Sequence, residues 1–238
     1  LSVTEPNGDT VGYEWGLMGE KKAVIMKNSQ DMKKMWKDAG ILFAITLIVG
    51  LMLGFVNELT REPIARQEEL KVQNSCREVV ASADSFTEKS FADNSFEAFI
   101  QVLERAAENG VKVDDSYFEA KNAAGETIGY VFLLTSSEGY GGNIELMTGI
   151  LTDGSLGGVS LLSISETAGL GMKAGEVLIP QFAGKKAQSF VYTKSGAVAD
   201  NEIDAISGAT ITTKAVTNIV NTGVDLYNSV FAGEEAAK

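Results

Sequence analysis

The stretch DAISGATITTKAV, from Asp204 to Val216, joins a short turn to a run rich in hydroxyl groups near the C-terminal end of the sequence. The Ser207-Gly208 pair predicts a helix start with Ser207 as the N-cap, so that residues 208–210 form the first turn. Free N–H groups in such a turn favour a phosphate, although the long glycine-rich loop and lysine of a nucleotide triphosphate site are lacking. The apolar residues after it fall near one helix face: Ile211, Ala215, Ile219 and Leu226. Because β-branched residues are frequent here, a strand is the alternative.

The composition restricts what these hydroxyl groups can do. The 238 residues contain no histidine, which excludes Ser-His-Asp and Cys-His catalysis and histidine-ligated metal sites. Cys76 is the only cysteine, so an internal disulfide and a thiolate cluster for zinc or for iron and sulfur are excluded as well. A content of 45% hydrophobic and 22% charged residues is typical of a folded protein, and the net charge of -12 argues against nucleic-acid binding.

One segment is apolar enough to cross a membrane. Between Asp38 and Glu58 lie 19 residues without a charge, which as a helix would span roughly 28 Å. We interpret residues 39–57 as a single transmembrane helix, because Thr46 and the terminal Asn57 are its few polar residues. The alternatives are a buried core helix and a cleaved signal peptide. No small-x-small cleavage site follows, and residues 58–80 are predicted to continue as a membrane-proximal helical linker.

The charges on either side of this helix predict its orientation. Residues 21–38 hold six lysines, against Arg61, Arg66, Lys71 and Arg77 in the comparable stretch after the helix. The positive-inside rule then places residues 1–38 in the cytoplasm of a prokaryotic cell, as an extension that is either a docking tail or simply solvated. The domain after the linker lies on the extracytoplasmic side of the cytoplasmic membrane. Six acids balance the lysines of residues 1–38, so the charge of -12 belongs to the part after the helix.

Residues 81–238 predict one α+β domain with an antiparallel sheet and flanking helices. FEAFIQVLERAAENG, residues 96–110, has apolar residues at helical spacing and ends at a glycine. Residues 117–136 predict two strands around a turn at residues 123–126, and residues 143–165 predict a hairpin around Asp153-Gly154. The glycine-rich stretches at residues 139–142 and 169–171, taken alone, are typical of ordinary turns.

Three of these stretches together resemble the FMN-binding domain family. The family motif D-x-x-S/T-G-A-T matches Asp204, Ser207, Gly208, Ala209 and Thr210. GYGGNIELMTGI from Gly139 and ETAGLGMK from Glu166 resemble two other shared stretches, with Ala168 where the family commonly has proline. ELTREPIARQ, just after the apolar segment, is similar to the corresponding join in the G subunits of Rnf electron transport complexes. The resemblance covers about residues 40 to 230.

The resemblance implies that flavin mononucleotide (FMN) is bound covalently, through a phosphoester to Thr210. Ser207, Gly208 and Ala209 would shape the turn, and Asp204 would assist recognition or hold the turn. The other implied cofactor-binding residues would lie near the isoalloxazine ring: Glu166, Thr167, Gly169, Leu170, Gly171 and Tyr140. A threonine hydroxyl is a poor nucleophile without a base or metal, so attachment implies a separate, magnesium-dependent flavin transferase that uses FAD.

The function implied by the resemblance is that of an electron-carrying member of an Rnf-type ion-translocating ferredoxin:NAD oxidoreductase complex, together with other membrane subunits. No catalytic or metal-ligating residue is expected in the chain, because the flavin does the redox work. One alternative is the C subunit of the sodium-pumping NADH:quinone reductase, which carries the same threonine-linked flavin. The other is a cofactor-free, membrane-anchored binding or scaffold domain.

Overall fold

The computed structural model describes residues 2–4, 10–15, 21–26, 29–93 and 96–235, with side chains for residues 33–92 and 97–233. The chain divides into two compact units, residues 1–65 and 66–238. In chain order the described elements are strands β1 (Ser2–Thr4), β2 (Thr10–Trp15) and β3 (Lys21–Met26), helix α1 (Ser29–Val79), strand β4 (Ser85–Ser90), helix α2 (Phe96–Glu108), strands β5 (Val111–Lys121), β6 (Thr127–Ser136), β7 (Ile144–Leu151), β8 (Leu156–Ile164), β9 (Val191–Thr193) and β10 (Glu202–Asp204), and helices α3 (Thr210–Leu226) and α4 (Ala232–Glu235).

The first unit holds a small sheet and the apolar part of α1. Strands β1, β2 and β3 form a three-stranded antiparallel sheet, which the sequence analysis did not anticipate. Among the described helices, α1 is long and apolar enough to cross a membrane, judged by length and composition. Residues 39–57 are all exposed within the protein, so the alternative of a buried core helix is wrong. Phe55, for example, is 72% exposed.

The second unit is built on a five-stranded antiparallel sheet in the order β4-β5-β6-β7-β8. The hairpin from β7 to β8 turns at Asp153-Gly154, where Gly154 has a φ of 82° that a side chain would disfavour. The turn from β5 to β6 likewise lies at Gly125, with a φ of 81°. These strands and the helices around them confirm the predicted α+β class with an antiparallel sheet.

Helices α2 and α3 cover one face of this sheet and enclose the larger core. The buried face of α3 includes Ala215, Ile219 and Leu226, which pack with sheet residues such as Phe132 and Leu146. An aromatic cluster closes the end of this core: Phe91, Phe99, Tyr117, Tyr130 and Phe231. This core fixes α3 against the sheet, and α3 in turn fixes the position of the turn that precedes it.

The last turns of α1 pack on the opposite face of the sheet. Cys76, Val79 and Val80 are buried there with Val131 and Met147. Residues 58–80 were expected to be a linker, but residues 66–79 lie within the second unit and contribute to its smaller core.

Candidate functional site

The turn before α3 differs from the one that the sequence predicted. Helix α3 begins at Thr210 with Ala209 as its N-cap, and no side chain caps it, so the prediction of Ser207 as the N-cap is wrong. Gly208 has a φ of +79°, which interrupts the helix before it can start at Ser207. The hydroxyl of Thr213 accepts a hydrogen bond from the N–H of Ile206 (3.1 Å) and donates to the carbonyl of Ala209 (2.9 Å). A threonine inside the helix therefore holds the turn.

A cavity of about 470 Å³ lies beside this turn. Its lining joins the three stretches singled out in the sequence: Tyr140, Glu166, Thr167, Leu170, Gly171, Gly208, Ala209, Thr210, Ile211 and Thr212. Ile211 and Thr212 were not among the predicted site residues. Ile211, which was predicted to share one helix face with Ala215, Ile219 and Leu226, is 51% exposed, whereas the other three are buried. Of the predicted residues, Asp204, Ser207 and Gly169 do not line this cavity.

Glu166 connects the three stretches through its carboxylate. One oxygen, Oε1, accepts a hydrogen bond from the N–H of Gly141 (3.2 Å), and the other, Oε2, accepts one from the hydroxyl of Thr212 (2.9 Å). Gly171 lies against this junction, where an added Cβ would come within 2.6 Å of Thr212 Oγ1 and 2.8 Å of Glu166 Oε2. Close packing thus explains why glycine stands at this position.

The glycines around Tyr140 let its loop approach the loop that carries Glu166. A Cβ at Gly141 would lie 2.0 Å from the carbonyl oxygen of Ser165, and one at Gly139 would lie 2.1 Å from that of Gly142. Neither distance can be accommodated by a side chain. The close approach leaves Tyr140 at the mouth of the cavity with 71% of its surface exposed.

The mouth of the cavity is apolar. Tyr140, Leu170 (40% exposed) and Ile211 (51% exposed) all line it. Exposed large apolar side chains that gather around one concavity are a recognised sign of a binding site.

The three threonines at the start of α3 differ in how far they are buried. Thr212 and Thr213 are 1% and 0% exposed, and both hydroxyls are hydrogen-bonded within the protein. Thr210 is half-buried and lines the cavity, and its hydroxyl makes no hydrogen bond within the described part of the chain. Thr210 is therefore the threonine of this run that an incoming group can reach.

A second, smaller cavity of about 170 Å³ adjoins Thr210. It is lined by Lys194, Ala205, Ile206, Ser207, Gly208 and Thr210. Asp204 lies outside both cavities, and its Oδ1 accepts a hydrogen bond from the N–H of Ala197 at 2.6 Å. This predicted residue therefore holds a neighbouring loop.

The largest cavity among those described, about 680 Å³, is separate from the two cavities beside Thr210. It lies between the last turns of α1 and strands β4 to β6 and contains none of the predicted site residues. Cys76 lines it, and burial raises the pKa of that thiol to about 12, so it stays protonated and unreactive at neutral pH. Among the residues that the structure describes, no group of three or more His, Cys, Asp or Glu side chains could hold a metal ion.

Comparison with known proteins matches two separate parts of the chain to two family models. Residues 139–225 match the FMN-binding domain, and residues 26–79 match the RnfG N-terminal region. The first match spans the stretches that line the 470 Å³ cavity.

Relatives of known name match over most of their length. The G subunit of the Na(+)-translocating ferredoxin:NAD(+) oxidoreductase complex of Acetobacterium woodii is 33% identical over 207 residues, which cover 84% of this chain and 95% of that protein. The G subunit of the proton-translocating complex of Clostridium ljungdahlii is 33% identical over 207 residues, covering 83% and 98%. The crystal structure of Shewanella oneidensis NqrC matches 52% of this chain and 61% of that one, at 21% identity and a TM-score of 0.43.

Proposed function

Because the chain belongs to the family of G subunits of Rnf-type ion-translocating ferredoxin:NAD oxidoreductase complexes, we propose that it is the FMN-carrying electron-transfer component of such a complex. It is a redox component and not a complete catalyst, since ferredoxin, NAD and the ion require other membrane subunits as partners. The apolar segment of α1 anchors it in the prokaryotic cytoplasmic membrane. The domain after the anchor would relay electrons on the extracytoplasmic side.

The 470 Å³ cavity fits FMN in size and in chemistry. Its volume lies within the range of about 300–1,000 Å³ that is usual for small-molecule sites. The apolar mouth formed by Tyr140, Leu170 and Ile211 suits the faces of an isoalloxazine ring. The glycines at positions 141 and 171 bring the surrounding loops close enough to give the cavity its shape. When bound, FMN supplies the electron-transfer chemistry, and the side chains supply position and environment.

We further propose that FMN is attached to Thr210. The observation that carries this proposal is the contrast between the accessible hydroxyl of Thr210 and the buried, hydrogen-bonded hydroxyls of Thr212 and Thr213. In the transfer, a bond forms between Thr210 Oγ1 and the flavin-side phosphorus of FAD, and the P–O bond of the pyrophosphate breaks to release AMP. The hydroxyl proton passes to a base on the flavin transferase, because this chain contains no histidine.

The other predicted residues would have supporting roles. Glu166 holds the Gly141 loop to Thr212, which is the residue two positions after the attachment site. Gly208 provides the turn that exposes Thr210, while Thr167 and Gly171 form the wall of the cavity. Gly169, with a φ of 77°, permits the turn of the loop before Leu170.

The Thr210→Ala substitution tests the attachment. We expect it to abolish the flavin fluorescence that survives a denaturing gel, while the cost to stability is about 1 kcal/mol or less because the hydroxyl is unbonded. Thr222→Val is the matched control: it deletes a hydroxyl of the same helix that bonds the carbonyl of Asn218 and lines neither cavity, so labelling should persist. Fluorescence that persists in Thr210→Ala would show that the flavin is attached elsewhere. Expression in a host without the transferase should give folded, colourless protein.

The alternatives predict different results. A cofactor-free scaffold domain would be colourless even with the transferase present. A component of a sodium-pumping NADH:quinone reductase would co-purify with quinone-reducing partners, whereas we expect co-purification with a complex that reacts with ferredoxin and NAD. Mass spectrometry of the complex isolated from its native membrane reports the flavin and the partner proteins together.

A further inference from the structure

We propose that Lys194 binds the phosphate of the attached flavin in the 170 Å³ cavity, and that Asp204 positions this lysine. This inference rests on the proposed attachment of FMN to Thr210 and adds two residues with separate roles. The role of Lys194 does not follow from the sequence motif, because this residue lies ten residues before Asp204 and outside the three stretches that resemble the family. Asp204 belongs to the motif, but the motif does not connect it with this lysine.

The two cavities meet at the attachment residue. Thr210 and Gly208 line both of them, so a group bonded to Thr210 Oγ1 has access to both. The smaller cavity, about 170 Å³, lies below the usual range of about 300–1,000 Å³ for small-molecule sites and is too small for a three-ring system. The residues with polar side chains in its lining are Lys194, which is exposed to solvent, Ser207 and Thr210. The structure therefore separates an apolar space for the ring from a small, cationic space for the phosphate.

Strand pairing brings Lys194 to this cavity. Strands β9 and β10 are parallel, with Thr193 opposite Asp204, and the N–H of Ala205 donates to the carbonyl of Thr193 at 2.8 Å. The residue after β9, Lys194, thus lies beside the residues that lead from β10 into the turn of the motif. A lysine distant in sequence becomes a neighbour of Thr210 through this short pairing.

Asp204 holds the loop that follows Lys194. Its Oδ1 accepts from the N–H of Ala197 at 2.6 Å, three residues after the lysine. Its own backbone is fixed by Gln181, whose side chain accepts from the Asp204 N–H (2.8 Å) and donates to the Asp204 carbonyl (3.1 Å). The aspartate of the motif is thereby a rigid anchor for the loop, and it lines neither cavity.

Charge explains why a cation is needed here. A flavin phosphate esterified to Thr210 keeps one negative charge, on a chain that already carries a net charge of -12. Lys214, four residues after Thr210, is paired with Glu138 at 3.0 Å, whereas Lys194 forms no ion pair among the residues that the structure describes. Lysine is a common phosphate ligand in proteins, where it acts as a compact point charge.

The test measures flavin incorporation by the full chain with a flavin transferase and FAD. We expect Lys194→Gln to lower the initial rate of labelling about tenfold or more, as for the loss of one charge-assisted hydrogen bond, and Lys194→Arg to retain most of it. Lys173→Gln is the matched control, because Lys173 is an exposed lysine near the larger cavity that lines neither one. Labelling of Lys194→Gln at the wild-type rate would overturn the proposal.

A second readout separates phosphate binding from recognition by the transferase. After long incubation, each labelled protein has a phosphodiester whose phosphorus-31 resonance can be recorded. We expect this resonance to move in Lys194→Gln and to stay in place in Lys173→Gln. A slower labelling rate with an unchanged resonance would mean that the lysine serves the transferase, and the proposed phosphate site would be wrong.

The positioning role of Asp204 is tested by coupling. Asp204→Ala should slow labelling in the wild-type background and have little further effect when combined with Lys194→Gln, because both changes remove the same interaction. Asp204→Asn keeps an oxygen that can accept from Ala197 and should label nearly as well as wild type. Fully additive effects would contradict the positioning role. Continued labelling of Thr210→Ala would instead disprove the attachment itself, which distinguishes the two failures.

Discussion

At the scale of single residues, carboxylates that accept backbone hydrogen bonds fix the loops around the site. Glu202 Oε2 accepts from the N–H groups of Val198 (2.8 Å) and Ala199 (3.1 Å). These two bonds hold the pKa of Glu202 below its ordinary value of 4.5. Together with Asp204, which binds Ala197, Glu202 holds the loop whose first residue is Lys194. The ionised carboxylate of Glu202 therefore contributes to the order of this loop, and acid should weaken that contribution.

The pH dependence of stability follows from the sign of this shift. A carboxylate with a lowered pKa in the folded state stabilises the fold above its ordinary value of 4.5, and the contribution is lost as the pH falls through the folded value. Glu202→Gln should therefore be less stable than wild type at pH 7 and should converge with it in strong acid. Urea unfolding at a series of pH values measures the difference. Asp200→Asn, a change in the same loop at a carboxylate without a hydrogen bond among the described residues, is the control. A gap that stays constant from pH 7 to pH 3 would contradict the explanation.

Three features of the site show which residues could be predicted from the sequence and which could not. Thr210 was predicted from a contiguous motif, and its accessibility in the structure is consistent with that prediction. The N-cap was predicted wrongly because serine has a high propensity for that position. The positive φ of Gly208 and the hydrogen bond from the Thr213 hydroxyl to the carbonyl of Ala209 instead determine where α3 begins. Lys194, which we propose as a phosphate ligand, had no signal in the sequence, since only the pairing of β9 with β10 brings it near Thr210.

At the scale of elements, glycines in strands β7 and β8 allow the end of α1 to pack closely on the sheet. An added Cβ at Gly149 would lie 2.7 Å from the carbonyl oxygen of Val79, and one at Gly157 would lie 2.5 Å from the same atom. Polar contacts add to this packing: Ser160 donates to Glu78 at 2.6 Å, and Lys71 donates to the carbonyl of Leu162. Residues 66–79 of α1 therefore belong to the core of the second unit.

Gly149→Ala should destabilise the domain. The new methyl group would meet both the carbonyl oxygen and the side chain of Val79, the latter at 2.8 Å, in a region where neither can move freely. We expect a loss of about 1–3 kcal/mol, the usual cost of overpacking. Urea unfolding of the detergent-solubilised chain, followed by near-ultraviolet circular dichroism, measures it.

The matched control for this change is Gly175→Ala. A Cβ at Gly175 would meet only Leu161 Cδ2, at an ordinary 3.5 Å, so the effect should stay within about 0.5 kcal/mol. Equal losses for the two variants would mean that glycine flexibility, and not contact with α1, determines the stability of this region.

Elements were predictable where local signals were strong. The hairpin at Asp153-Gly154 and helix α2 before Gly110 follow from turn and stop residues, and both are confirmed. The packing of residues 66–79 on the sheet has no local signal, because it depends on glycines about 70 to 90 residues further along the chain. Non-local contacts of this kind are decided by the tertiary fold.

At the scale of the whole molecule, charge and hydropathy divide the chain into parts with different surroundings. The lysines of residues 21–38 precede an apolar helix segment, and the net charge of -12 belongs to the part after it. Acidic ferredoxins would be repelled by a domain of this charge, which agrees with a relay that receives electrons from another protein of the complex. Family membership supports assembly with such partners and does not depend on the orientation of the anchor.

The orientation itself is open to a direct test. Because the lysines flank the N-terminal side of the anchor, we expect residues 1–38 inside and the flavin domain outside. Protease added to intact cells, after any outer membrane has been made permeable, should remove an epitope at the C-terminal end and spare one at the N-terminal end. Cells opened with detergent are the control, in which both epitopes should be lost. Protection of the C-terminal epitope in intact cells would reverse the topology. The flavin at Thr210 would then lie on the cytoplasmic side, and electron transfer to its partners would take place there. The proposed attachment to Thr210 would be unaffected, because it does not depend on the orientation of the anchor.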